Sequence, residues 1–131
     1  MILVDTTVWI DFFNDNETEQ VLLLERYLVS ELILVGDLIL AEVLQGFKSD
    51  KDYSIAKSEL DNFLFVEMVG KKIAHESSNN YRYLRKKGIT IRKTIDVIIG
   101  SFCIYNNISL LHNDRDFDPM EKYLNLMVVR D

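Results

Sequence analysis

The sequence predicts an α/β protein whose central, mostly parallel sheet is covered by helices on both faces. Three observations support this fold class. Short apolar runs alternate with longer segments of helical periodicity, which is typical of βαβ units with right-handed crossovers. The runs are apolar throughout, as expected for strands that are buried on both faces. The chain has 131 residues with no internal repeat and no linker-like stretch, so we expect a single domain over residues 1–131.

The predicted strands are apolar runs of three or four residues, each followed by a polar or turn-forming residue. The first, residues 2–4, is Ile-Leu-Val and leads directly into Asp5. This composition is typical of a central strand. The other strand candidates are residues 32–35, 63–66, 109–111 and 126–129. We expect the first, second, fourth and fifth of these runs to belong to one parallel sheet.

The segments between these runs have apolar residues at helical spacing, for example Val21, Leu24 and Leu28. Cap signals mark two ends. Asp37 is the expected N-cap of the helix after the second strand, and Gly88 is expected just beyond the end of the longest helix. The predicted helices are residues 17–29, 38–47, 51–62, 70–87 and a segment that Thr90 or Thr94 opens and that ends near residues 106–107, with a helical turn at residues 120–123.

Composition excludes several classes of protein. Hydrophobic residues make up 48% and charged residues 27% of the chain, an ordinary soluble composition. There is no N-terminal signal segment and no apolar stretch long enough to cross a bilayer, so we expect a cytoplasmic protein with no membrane partner. The single cysteine, Cys103, excludes an internal disulfide and fits a reducing compartment. Its apolar surroundings favour a buried position over a reactive one.

Five acidic residues differ from the many that occupy polar faces. Asp5 follows the first predicted strand, and Asp114 and Asp116 follow the strand at residues 109–111. Glu42 and Asp96 lie early in otherwise apolar helices, where an unpaired charge is costly. Each also has an ordinary structural interpretation: Asp5 as a helix cap, Asp96 as a favourable charge in a first turn, and the last two as turn residues.

These acidic positions share one edge of the predicted sheet. The ends of parallel strands and the starts of the helices that follow them lie at the same edge, so four or five carboxylates are expected to converge. Like charges so close do not all ionise without a counter-charge. A hard divalent cation, Mg²⁺ or Mn²⁺, is the natural partner of such oxygen atoms. Such a site suits hydrolysis at phosphorus.

The sequence lacks the motifs of other common metal and phosphate sites. His75 and His112 do not have the spacing of zinc ligands. No glycine-rich phosphate-binding loop is present, so we do not expect the use of nucleoside triphosphates.

Four segments resemble, in their order and spacing, those of the PIN-domain ribonucleases, and in particular the VapC-type toxins of bacterial toxin–antitoxin pairs. They are residues 2–11 (ILVDTTVWID), 41–46 (AEVLQG), 94–99 (TIDVII) and 111–118 (LHNDRDFD). The resemblance covers nearly the whole chain. It implies a three-layer α/β/α sandwich and a Mg²⁺-dependent endoribonuclease.

By motif position, the resemblance implies roles for the acidic residues. Asp5, Glu42, Asp96 and Asp114 correspond to the acidic, metal-binding site of the family, and Asp116 is a common accessory. We expect Asp5 and Asp96 to be direct metal ligands, and Glu42 and Asp114 to complete the shell or orient water.

Thr7 matches a position where the family often carries a metal-proximal hydroxyl.

The resemblance also implies partners. Family members usually form homodimers and are silenced by a small antitoxin that inserts into the active-site groove. We therefore expect an RNA substrate, a cognate antitoxin and a homodimer. The chain departs from the family pattern after the third acid, where Ile-Gly-Ser at residues 99–101 is expected to alter local helix packing.

A basic segment precedes the third acidic residue. Residues 71–93 carry eight basic side chains and one acidic one, a net charge of +7 in a chain of net charge −6. The alternative to a binding role is a solvated helix with cations near its C-terminus, where the helix dipole favours them. The cations nearest the acidic helix are candidates for binding RNA phosphates: Arg85, Lys86, Lys87, Arg92 and Lys93.

Other functions fit parts of the pattern. A phosphatase of the haloacid dehalogenase type also begins with a strand and an aspartate, but it needs a second Asp where this chain has Thr7. Two alternatives keep the PIN fold: an RNA-processing nuclease that has no antitoxin, and a non-catalytic scaffold that binds RNA or protein. The complete set of acids argues against the scaffold, and a small DNA-binding partner in the neighbouring gene would favour the toxin.

Overall fold

A parallel sheet forms the centre of the protein, and the computed structural model describes every residue from Met1 to Asp131. Its strands are β1 (Ile2–Val4), β2 (Ile33–Gly36), β3 (Leu64–Val66) and β4 (Ser109–Leu111). They lie in the order β3-β2-β1-β4, and every neighbouring pair is parallel. The predicted parallel sheet is therefore confirmed, with the run at residues 63–66 as one of its edges.

Helices connect the strands, and all except the first, which was not among the predicted helices, begin and end within a few residues of their predicted bounds. They are α1 (Thr6–Phe13), α2 (Glu19–Tyr27), α3 (Asp37–Gln45), α4 (Asp50–Leu60), α5 (Gly70–Lys86), α6 (Thr94–Asn106) and α7 (Asp118–Leu124), with a 3₁₀ turn at Arg115–Phe117. None of them combines the length and the apolar character that crossing a bilayer requires. Gly88 follows α5 with a positive φ of 82°, as its predicted place beyond the helix end requires.

The strand order places helices on both faces of the sheet. The connections from β1 to β2 and from β2 to β3 run in one direction, whereas the connection from β3 to β4 returns across the sheet. Because crossovers between parallel strands are right-handed, opposite directions put their helices on opposite faces. The contacts agree, since α1 packs against α2 and α3, and α3 against α4, whereas α5 packs against α6 and α7. The predicted three-layer α/β/α arrangement is confirmed.

The predicted fifth strand is wrong. Residues 126–129 make only one isolated parallel bridge, between Leu110 and Val128. Two backbone hydrogen bonds of 2.9 Å join the segment to β4, from Leu110 N to Met127 O and from Val129 N to Leu110 O. The segment therefore lies beside β4 without forming a strand.

One predicted helix cap is also wrong. Gly36 occupies the N-cap of α3, and Asp37 is the first helical residue. Its Oδ1 instead accepts hydrogen bonds from the backbone of Leu38 and of Met68, and so ties α3 to the segment after β3. Lys93, without a side-chain cap bond, precedes α6, which begins at Thr94.

The apolar residues of the strands and inner helix faces form one continuous core. Trp9 is fully buried in it and packs against Phe12, Phe13 and Phe63. Cys103 is also fully buried, and burial raises the pKa of its thiol. The predicted preference for a buried, unreactive cysteine is therefore confirmed.

Candidate active site

The carboxyl ends of β1 and β4 define the candidate site. Connections leave β1 toward β2 on one side, while β4 pairs with β1 on the other side, and such a reversal is where open α/β sheets place their ligands. Asp5 follows β1 and Asp114 follows β4. The two strand ends are tied together, because Asp5 N donates to Leu111 O at 2.9 Å.

Asp5 is the cap of α1 and also lies in the candidate site. Its side chain is 3% exposed, and its Oδ2 accepts a 3.0 Å hydrogen bond from the Thr7 hydroxyl and a longer one from Thr7 N. Burial raises the pKa of Asp5 to about 6, in spite of these hydrogen bonds, and the charge of Glu42 adds to the rise. The capping interpretation and the site interpretation are therefore compatible at this residue.

Asp96 lies in the first turn of α6, where the helix dipole favours its charge. It is only 6% exposed, and its Oδ2 is buried without a hydrogen-bond partner. Burial, followed by the charges of Asp5 and Asp114, raises the pKa of Asp96 to about 7, although Lys93 opposes the rise. Such a carboxylate is destabilised in the ionised form unless a cation joins it.

The segment after β4 carries two further carboxylates. One ligand atom each of Asp96, Asp114 and Asp116 lie within 4.8 Å of one another. Asp114 Oδ1 accepts a 2.9 Å hydrogen bond from Asp116 N, which opens the 3₁₀ turn. The Asp116 carboxylate also lies 3.4 Å from the guanidinium of Arg92. The turn interpretation of these two aspartates is correct, and the turn directs them toward Asp96.

Glu42 reaches the site from α3 and is held by a residue that sequence reasoning missed. The hydroxyl of Thr6 donates a 2.7 Å hydrogen bond to Glu42 Oε1. The resemblance pointed to Thr7, whose hydroxyl binds Asp5 instead. The only available sequence signal was the adjacent threonine pair at the end of a strand.

The structure divides the five candidate RNA-binding cations into two groups. Arg92 contacts Asp116, and Lys93 is close enough to affect the pKa of Asp96. Two of the three at the end of α5 lie over aromatic rings and contact no acid. The Arg85 guanidinium lies 5.6 Å from the ring centroid of Tyr81, the Lys87 ammonium lies 5.1 and 5.3 Å from those of Tyr83 and Tyr123, and Lys86 is exposed.

The site residues fit a hard divalent cation. The donor atoms that lie within 4.8 Å of one another are all carboxylate oxygens, from Asp96, Asp114 and Asp116, and Mg²⁺ and Mn²⁺ prefer such ligands. The orphaned, buried Oδ2 of Asp96 offers a ligand atom that no protein group uses. Burial, together with the charges of neighbouring carboxylates, raises the pKa values of Asp5 and Asp96, and a bound cation would oppose this rise.

Comparisons with known proteins find relatives over almost the whole chain. A family model described as "PIN domain" matches residues 2–123. The curated protein "Ribonuclease VapC11" of Mycobacterium tuberculosis is 25% identical over 128 residues, which are 96% of each chain.

Solved structures share the fold at lower identity. VapBC2 from Rickettsia felis, bound to a DNA fragment from its promoter, matches with a TM-score of 0.79 and 20% identity over 98% of each chain. A toxin–antitoxin complex from Klebsiella pneumoniae matches with a TM-score of 0.73 and 19% identity, over 99% of this chain and 97% of the other.

Proposed function

This chain belongs to the PIN-domain family, and we propose that it is a metal-dependent endoribonuclease, the toxin of a type II toxin–antitoxin system. The relative named as a ribonuclease and the neighbour described as a toxin–antitoxin complex support this proposal. The observation that carries it is the carboxylate cluster around the buried, unpartnered Asp96 oxygen.

The proposed metal site uses residues from four separate segments. Asp5 and Asp96 are the proposed direct ligands of Mg²⁺ or Mn²⁺, because they are the most buried of the acids and have raised pKa values. Glu42 and Asp114 complete the shell or orient water, and Asp116 is an accessory. A divalent cation in such a site supplies an activated water and stabilises the negative charge that develops on the phosphate.

The protein's own groups prepare this site. The Thr7 hydroxyl holds one oxygen of Asp5, and the Thr6 hydroxyl holds one oxygen of Glu42. Both hydroxyls lie in the first turn of α1, so a single rigid helix start orients two carboxylates. Preorganised ligands lose less conformational freedom when a cation or substrate binds.

The proposed RNA path leads from the acids along the end of α5. Arg92 and Lys93 lie beside the carboxylates, where they would bind phosphates next to the cleaved bond. Arg85, Lys86 and Lys87 continue the positive surface. Lysines and tyrosines alternate there, and bases of a single strand stack on such rings while the cations bind phosphates.

The proposed protein partners are a cognate antitoxin and a second copy of this chain. Large apolar side chains on α1 and near α3 remain partly exposed around the buried Trp9. They include Phe12, Phe13 and Phe47, whose rings contact one another in series. Partly exposed apolar groups of this kind often belong to interfaces. We propose that the protein acts in the cytoplasm, where its RNA substrate is found.

Mapping the cleavage of total RNA tests the catalytic proposal. The purified protein should cut RNA internally with Mg²⁺ or Mn²⁺ and should not cut in EDTA. Asp96→Asn should lose cleavage by orders of magnitude, whereas Asp52→Asn, a matched change at an exposed aspartate of α4, should not. Cleavage that persists in EDTA or in Asp96→Asn would reject the metal-nuclease mechanism.

The neighbouring gene tests the toxin assignment. A small DNA-binding protein encoded there should co-purify with this chain and suppress cleavage when it is in stoichiometric excess. Cleavage that the neighbouring product leaves unchanged would favour an RNA-processing nuclease without an antitoxin.

A further inference from the structure

The imidazole of His112 makes an unusual contact with the segment that carries two of the acids. Its Nδ1 accepts a 3.1 Å hydrogen bond from the backbone N–H of Asp114. Asp114 Oδ1 then accepts a 2.9 Å hydrogen bond from the backbone N–H of Asp116. Both bonds run from a side-chain acceptor to the N–H two residues later, which is the pattern of an Asx turn.

A histidine ring is less favourable at this buried position than an apolar ring would be. His112 is 9% exposed and its ring centroid lies 4.9 Å from that of Phe117. Because Nδ1 accepts a hydrogen bond, the proton of the neutral ring is on Nε2, which is buried without a partner. A buried donor without an acceptor destabilises a fold by about 1–3 kcal/mol, so an apolar ring would pack at this place with less penalty.

We propose that His112 is a positioning residue for the metal site, which holds the Asp114 backbone through Nδ1 and thereby fixes the carboxylates of Asp114 and Asp116. The inference rests on the proposed function, since it gives that site its geometry. His112 Nδ1 is the acceptor of the Asp114 N–H. The first N–H of this segment that donates to a backbone oxygen is that of Phe117. Without the acceptor, the loop between β4 and the 3₁₀ turn loses the bond that sets its first turn.

Two substitutions separate the acceptor from the ring. His112→Asn places Oδ1 where Nδ1 stands, since both atoms are two bonds from Cβ, but it removes the packing against Phe117. His112→Phe keeps an aromatic ring against Phe117 and removes both the acceptor and the unpartnered Nε2. Packing therefore predicts that the phenylalanine variant is the more stable of the two, whereas positioning predicts that the asparagine variant binds metal more tightly.

The experiment measures Mn²⁺ affinity by calorimetry, melting temperature in EDTA, and kcat and KM for RNA cleavage. We expect His112→Phe to melt at or above the wild-type temperature yet to bind Mn²⁺ about ten- to a hundredfold more weakly. Its kcat should fall while its KM for RNA stays unchanged. His112→Asn should melt lower and retain affinity close to that of the wild type.

The outcomes separate this inference from the proposed function. Wild-type Mn²⁺ affinity in His112→Phe, or an equal loss in both variants, would overturn the positioning role while leaving the nuclease intact. A wild-type protein that binds no Mn²⁺ and cuts RNA in EDTA would overturn the proposed function, and the positioning role with it.

Discussion

The Thr6 hydroxyl donates a 2.7 Å hydrogen bond to Oε1 of Glu42, across 36 positions of sequence. The bond joins the first turn of α1 to α3 at the carboxyl edge of the sheet. An unbound glutamate side chain rotates freely, and ordering it on cation binding costs conformational entropy. Because the hydrogen bond from Thr6 already orders the Glu42 side chain in the folded protein, less of this entropy is lost when a cation binds.

Replacing Thr6 with Val therefore tests whether the orientation of Glu42 matters. Valine has nearly the same shape but does not donate, so Mn²⁺ affinity or cleavage should fall by about tenfold, as for other groups that orient ligands. The free energy of unfolding should change by about 1 kcal/mol, the usual contribution of one hydrogen bond. Thr6→Ser restores the hydroxyl and should recover cleavage. Equal activity of the valine and serine variants would contradict the role of this bond.

Removing the charge of Asp96 should stabilise the metal-free fold in a pH-dependent way. The pKa of this carboxyl rises from 3.8 to about 7 on folding, so the native state binds the proton more tightly. Stability in EDTA is therefore lost as the pH rises through this window. Asp96→Asn has no carboxyl group at this position and therefore does not lose stability in this way. Its melting temperature should match the wild type near pH 4 and exceed it increasingly up to about pH 7–8. A constant difference at all pH values would argue against charge as the cause.

Metal affinity should rise with pH over the same range. The cation binds ionised carboxylates and displaces protons, and the pKa values of Asp5 and Asp96 are raised to about 6 and about 7. Calorimetric titration with Mn²⁺ should therefore show tighter binding at pH 7.5 than at about pH 5.5, with proton release that depends on the buffer. In Asp96→Asn the remaining dependence should centre on the lower pKa. Affinity that does not vary with pH would contradict the proposed ligands.

The cations at the end of α5 should determine how RNA binding responds to salt. Each phosphate contact on a single strand adds about 0.7 to the slope of log affinity against log salt concentration. Replacing Arg85, Lys86 and Lys87 together with Ala should lower that slope by up to about 2 and weaken binding. As the matched control, the same change at three exposed lysines in or near α4 should leave the slope unaltered: Lys48, Lys51 and Lys57. Equal slopes for the two triple variants would remove α5 from the RNA path.

Gly100 should be intolerant of even a methyl group. A Cβ at this position of α6 would overlap the sulfur of Met120, which is fully buried. Overpacking of this kind costs about 1–3 kcal/mol, so Gly100→Ala should lower the free energy of unfolding in urea titration. Gly46→Ala is the control, because its Cβ would meet no side chain and its nearest neighbour is Val43 O at 3.4 Å. Equal stability of Gly100→Ala and wild type would show that Met120 moves aside easily.

This contact explains why the departure from the family pattern at residues 99–101 affects helix packing. A small residue at Gly100 allows α7 to approach α6 closely through Met120.

Local patterns were sufficient for the strands and for the acidic edge. The apolar runs predicted β1, β2 and β4 within one residue, because burial on both faces demands such composition. The runs also located the carboxylates: Asp5 and Asp114 follow strands, and Glu42 and Asp96 follow helix starts. Parallel topology alone brings such positions to one edge.

The ends of helices and strands were less predictable, since more than one neighbouring residue could occupy each cap position. Gly36 takes the cap position predicted for Asp37, whose carboxylate binds the distant backbone of Met68 instead. The apolar run at residues 126–129 has strand composition but pairs at a single bridge, because strand pairing depends on the neighbouring segments as well as on composition.

The alternation of strands and helices, the buried core and the edge at which the acids meet could be predicted from the sequence, because they follow from hydrophobic periodicity and from the order of elements along the chain. The groups that hold those acids are known only from the folded structure: Thr6 binds Glu42, His112 binds the Asp114 backbone, and Arg92 contacts Asp116. Each of these contacts depends on one rotamer and on the packing of neighbouring elements. Periodicity and residue type specify which face a side chain occupies, but not which atom it meets there.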